Sequence, residues 1–209
     1  MRKIPLIIDT REQRPLDFSA FPDIRFERRK TWPGDYSLKA YSRMLAIERK
    51  SVSDLIGTMK DGYAGLSATS PKRFDCELLG LGGVIHLGGR AFVLVEPDGA
   101  GQTAEEQIDA GNYQAMIPPE KIRGFIGVIR HGWKIPVLLA NSRAHAAEIV
   151  AAAIRAADVE KLSWRPFDKW MRNPTPPLGR VLSAAPEAPP HEGQGVENLP
   201  SNENLKKAR

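Results

Sequence analysis

The sequence predicts an α/β layered sheet. Apolar runs of strand length alternate with longer stretches whose apolar positions repeat at helical spacing, and Gly, Pro or capping residues fall between them. That interleaving favours parallel pairing wherever a helix serves as the crossover. No internal repeat interrupts the order.

The run IPLII (4–8) has the length of a buried strand and delivers Asp9 at its C-terminal end. After the turn-like TREQRPL, the segment IRFERRKTW (24–32) alternates as a second strand up to Pro33-Gly34, and DYSLKA (35–40) continues as extended chain. RMLAIERK (43–50) is a third strand. Ser51 then caps a helix: Asp54 completes a capping box, Val52, Leu55, Ile56 and Met59 share one face, and Gly62 supplies a stop. A second helix fits 70–81, with Pro71 in its first turn and Gly82-Gly83 beyond its end.

AFVLVE (91–96) is the most hydrophobic strand candidate. Residues 97–116 lack a strong period and read as a surface excursion with a short helix around AEEQI. The segment 118–133 reads as a helix opened by proline, IPVLLA (135–140) as a strand, and 142–157 as an alanine-rich helix capped by Ser142.

A chain of 209 residues, 42% of them hydrophobic, can bury one substantial core. One domain is expected over residues 1–172, whereas residues 173–209 hold seven prolines and no aromatic residue, a composition that predicts disorder. The tail's acidic and basic residues balance, so the formal charge of +5 belongs to residues 1–172. A basic domain favours polyanionic partners through its long-range field. Cys76 is the only cysteine, which excludes an intrachain disulfide or a cysteine-based zinc site, and its helical surroundings predict a buried thiol. The first apolar run is too short for a signal peptide or a membrane span, so a soluble, intracellular (cytoplasmic) protein with no membrane partner is expected. The four histidines show no paired ligand spacing, and GLGG and LGGRA lack the Lys-Ser/Thr of a phosphate loop, which argues against an ATPase.

Strand alternation sets Glu48 and Lys50 on one face of the third strand and Arg49 on the other. The α-carbons of Glu48 and Lys50 are then about 6.6 Å apart, close enough for a carboxylate holding a cation and an ammonium to act on one small group. The hairpin implied by SLKAYSR folds Asp35 toward Glu48, and Asp9 and Glu12 leave the end of the first strand. Four carboxylates and a lysine can thus gather at one edge of the sheet. Hard oxygen ligands with open positions suit Mg²⁺ or Mn²⁺, ions that serve phosphoryl transfer.

IIDTRE, GDYSL and IERKSVSDLIG together resemble, in order and spacing, the nuclease domain of XPF and Hef type structure-specific endonucleases. Its signature, Gly-Asp, a gap, Glu-Arg-Lys, three residues, Asp, falls here on Gly34, Asp35, Glu48, Arg49, Lys50 and Asp54, and KRFDCELLGL and RAFVLVE extend the likeness over about residues 4–157. The resemblance implies a restriction-endonuclease-like fold, a central mixed sheet flanked by helices, and divalent-metal-dependent cleavage of DNA, with a preference for branched, forked or flapped substrates in repair or recombination. It implies that Asp35, Glu48 and Asp9 bind the metal, that Lys50 orients or deprotonates the attacking water, and that Glu12 completes or supports the shell. Arg11, Arg49, Asp54 and Glu96 are supporting candidates: Arg49 pairs with a carboxylate such as Asp54 or touches DNA, and Asp54 caps its helix or supports the motif. Lys60, Lys72, Arg73, Lys121 and Arg123, near predicted helix ends, are candidate phosphate contacts.

Many members of that family carry a helix-hairpin-helix module or a helicase, and neither is found in this sequence. A homodimer or a partner protein is therefore a candidate source of grip. The segment 158–174 mixes Trp164, Arg165, Phe167, Lys169, Trp170 and Arg172, which either stack on unpaired bases or pack a terminal segment onto the domain. The rival reading is a noncatalytic DNA-binding or scaffold subunit of a nuclease complex.

Overall fold

A computed structural model describes residues 3–38, 44–60, 72–111 and 117–160. These lie within one compact unit, Met1–Pro166. The strand hairpin tip at 39–43, Gly62, Pro71, the aromatic and basic segment after residue 160 and the proline-rich tail fall outside the described residues.

Among the described residues, β1 (Ile4–Ile8), β2 (Ile24–Arg28), β3 (Tyr36–Leu38), β4 (Leu45–Ser51), β5 (Arg90–Glu96) and β6 (Val137–Leu139) form one sheet in the order β2-β1-β3-β4-β5-β6. The β1–β2, β4–β5 and β5–β6 pairs are parallel and β1–β3 and β3–β4 antiparallel, so the sheet is mixed. The helices are α1 (Val52–Lys60), α2 (Arg73–His86), α3 (Ala104–Ala110), α4 (Pro119–Gly127) and α5 (Arg143–Glu160).

Strand alternation divides the core in two. Ala46, Val93 and Val95 face α1 to α4 and pack with Leu55, Leu78 and Ile122, while Ile8, Ile47 and Leu94 face α5 and pack with Val150 and Ile154. Each fully buried aliphatic side chain contributes about 1.5–3 kcal/mol. No described helix is long and apolar enough to cross a membrane.

Several elements depart from the sequence reading. The second strand stops at Arg28, because its partner β1 ends at Ile8, whose carbonyl accepts from the Arg29 N–H at 3.0 Å. Helix α2 runs through Gly82-Gly83 to His86, since Leu81 and Val84 bury its continuing apolar face and offset a cost of about 1 kcal/mol per glycine. Cys76 is exposed, not buried, because α2 turns Phe74, Leu78 and Leu81 inward and leaves position 76 outside. The helix expected over 118–133 ends as α4 at Gly127 and continues as a π-helical turn, Val128–Gly132.

Candidate active site

The β3–β4 register aligns Tyr36 with Ile47 and Ser37 with Ala46, and one step further sets Asp35 beside Glu48. Gly34 makes the approach feasible. It has φ +81°, and a Cβ there would lie 2.8 Å from the Ile47 carbonyl oxygen, so a side chain is excluded on both counts. Asp35 is then fixed at two points: its N–H donates to the Ile47 carbonyl at 2.8 Å, and its Oδ2 accepts from the Arg49 N–H at 2.9 Å.

On β4, Glu48 and Lys50 share the face that packs against α2. The Lys50 ammonium lies 3.4 Å from Glu48 Oε1, 3.8 Å from Glu77 Oε2 and 4.4 Å from the centroid of the Phe74 ring. Glu48 is buried. Desolvation, then the Asp35 charge, lifts its carboxyl well above the ordinary value, against the pull of Lys50. Asp35 is raised to about 6, chiefly by burial, although the Arg49 amide opposes this. Two desolvated carboxylates thus share one small space.

Arg49 points to the opposite face, toward α5. Its Nε and Nη2 donate to Glu12 at 3.0 Å each, and its Nη1 pairs with Glu96, which Arg143 from α5 also grips. Glu12 and Glu96, and not Asp54, are therefore its partners. Asp54 closes its own helix: its N–H donates to Ser51 Oγ at 3.1 Å, and the Ser51 N–H reaches Asp54 Oδ2 at 3.4 Å.

Asp9 is fully buried, and its carboxylate accepts from the Arg11 N–H, Nε and Nη2 and from the Thr31 N–H at 2.7–3.0 Å. Burial alone would raise its pKa, but the Arg11 and Thr31 hydrogen bonds outweigh that and hold it below the ordinary value. Its lone pairs are occupied by the protein.

An open groove of ≈ 1550 Å³ runs over these groups. The groove is larger than the roughly 300–1,000 Å³ usual for small-ligand pockets, and it is open to solvent. Arg11, Glu12, Asp35, Glu48, Arg49, Lys50, Asp54, Lys72, Arg73 and Glu96 line it. Asp9, Lys60, Lys121 and Arg123 stand outside that lining. Arg123 instead pairs with Asp109 and, at 3.3 Å, with Glu105. Glu77 and Trp32 also line the groove and were not picked out from the sequence. The signal for Glu77 is its spacing from Phe74, which puts both on one face of α2 without saying that this face meets β4.

No protein-family model and no curated protein sequence matches the chain. Solved structures do, and the likeness is one of fold: the mixed six-stranded α/β sheet is similar to that of XPF structures. The chain is similar to XPF from Aeropyrum pernix, at 16% identity and TM-score 0.52 over 73% of this chain and 61% of that one. A second structure, XPF from Aeropyrum pernix in complex with DNA, matches at 15% identity and TM-score 0.49 over 75% and 66%. The chain thus spans 61–66% of the length of these structures, and at such identity the likeness concerns the fold alone.

Proposed function

We propose that the chain is a divalent-metal-dependent DNA endonuclease that hydrolyses phosphodiester bonds in branched, forked or flapped DNA, in repair or recombination. The observation that carries this reading is the register pairing that sets Asp35 beside Glu48 in one groove, with the Lys50 ammonium 3.4 Å from Glu48. Such a pair is relieved by a cation, and its hard oxygens suit Mg²⁺ or Mn²⁺. Among the described residues no group of three or more His, Cys, Asp or Glu is arranged to hold a metal ion. The protein's share of a shell would then be this pair, Mg²⁺ commonly keeping several waters and substrate oxygens.

When bound, the ion polarises the phosphoryl group and makes water acidic enough to act as a nucleophile near neutral pH. Asp35 and Glu48 would hold the ion. Lys50 sets a positive charge and N–H donors against the charge that develops on the phosphoryl oxygens. The Arg49 amide keeps Asp35 in place, and its side chain ties β4 to Glu12 and Glu96. Asp9, saturated by Arg11 and Thr31, braces the end of β1 in place of ligating the ion. Arg11, Lys72 and Arg73 offer contacts to backbone phosphates along the groove.

The test is cleavage of labelled forked, flapped, four-way and linear DNA with Mg²⁺ or Mn²⁺. Metal-dependent cutting that falls by roughly 10²–10³-fold or more in Glu48→Ala is expected. Binding of DNA with no metal-dependent cutting by the unaltered chain would support the noncatalytic scaffold reading instead.

A further inference from the structure

Among the described residues Trp32 is 60% exposed, an unusual state for an indole. Phe26 is comparably exposed at 57%, but it lies on the edge strand β2, whereas Trp32 lines the groove that holds Asp35 and Glu48. The chain on either side of Trp32 is pinned. The Thr31 N–H donates to Asp9 Oδ2 at 2.9 Å, the Thr31 carbonyl accepts from Arg11 Nη2 at 3.0 Å, and the Asp35 N–H donates to Ile47.

Gly80 of α2 completes the mount. A Cβ at position 80 would lie 2.7 Å from Pro33 Cβ and 2.9 Å from Trp32 Cζ2, so the indole edge and the proline ring occupy the space a side chain would fill. The ring is therefore held at one edge and left open elsewhere. Around the same groove stand cationic side chains, Arg11 half exposed and Arg73 more so.

A fixed, open aromatic ring in a groove lined by cationic side chains is the arrangement that stacks a nucleobase. A paired base inside a duplex has both faces covered by its neighbours, so only a base already out of the stack can use this ring. We propose that Trp32 stacks on an unpaired base flanking the scissile phosphate, and that this contact selects opened nucleic acid over continuous duplex. The inference rests on the nuclease reading above.

The experiment uses the full chain carrying Glu48→Ala, so that bound DNA stays uncut, and a forked DNA with 2-aminopurine at the unpaired position beside the junction. Stacking predicts a change in 2-aminopurine emission on binding that Trp32→Ala loses and Trp32→Phe keeps. Trp32→Ala should also lose about ten-fold or more of its affinity for the fork relative to continuous duplex. Emission and fork preference indifferent to residue 32 would overturn the stacking proposal while leaving the nuclease reading standing. A Trp32→Ala variant that sediments as a smaller species would overturn it too, by making the ring a contact between copies. Failure of the Glu48→Ala protein to bind DNA of any shape would overturn both.

Discussion

The Arg49 N–H donates a 2.9 Å hydrogen bond to Oδ2 of Asp35, so the backbone of β4 holds the carboxylate delivered by the turn before β3. The side chain of the same arginine crosses to the other face and pairs with Glu12 and Glu96. One residue therefore ties three segments of chain together around the groove, through its amide on one side and its guanidinium on the other.

Among the described residues, removing that guanidinium leaves the buried Glu12 carboxylate with only the Arg14 N–H, and leaves buried Glu96 to Arg143 alone. Arg49→Met is expected to destabilise the fold by about 3–5 kcal/mol, the usual cost of breaking a buried pair from one side. Urea denaturation measures it, and a loss below about 1 kcal/mol would mean that Glu12 and Glu96 find solvent readily.

Gly34 is the only residue type that fits its position. Gly34→Ala adds a Cβ 2.8 Å from the Ile47 carbonyl oxygen at a backbone φ of +81°, and should cost about 1–3 kcal/mol while displacing Asp35. The predicted signature is a lowered Tm together with weakened divalent-ion binding by titration calorimetry.

Asp35 should make the metal-free protein less stable as the pH rises. Its folded pKa of about 6 exceeds the ordinary 3.8, so its favourable contribution is complete below pH 3.8 and is lost as pH climbs through 6. Asp35→Asn retains an acceptor for the Arg49 N–H and removes the charge. At pH 7.5 without metal it should be more stable than the unaltered chain by on the order of 1–3 kcal/mol, a gain that shrinks toward pH 4. Thermal melts across this range check the trend. Added Mg²⁺ should raise the Tm of the unaltered chain and not that of the variant.

In the proposed reaction Lys50 acts on charge that develops on the phosphoryl oxygens. Lys50→Ala should therefore lower turnover by roughly 10²–10⁴-fold and change DNA affinity far less, as read from single-turnover cleavage and equilibrium binding. Equal losses in both would assign Lys50 to substrate binding.

The strands carrying the site were legible because each is short and locally patterned. The IPLII and LAIERK runs declare β1 and β4, Ser51 and Asp54 declare the start of α1, and period-two alternation alone separates Glu48 and Lys50 from Arg49. The partners of Arg49 were not legible, since Glu12 and Glu96 reach it only through the order β1-β3-β4-β5, a long-range property. Asp9 carried an acid of the right type at a strand end, but the fork of Arg11, two residues on, closes over it. Exposure of Cys76 and the position of Glu77 depend on which face α2 turns to the sheet, and helical spacing gives the faces without saying which one is covered.

The most direct measurement is the anomalous scattering of a crystal of this chain grown with Mn²⁺. A peak bonded to both the Asp35 and Glu48 carboxylates, at about 2.1 Å from each, is the predicted result. A peak elsewhere, or none between these two side chains at saturating Mn²⁺, would contradict the account.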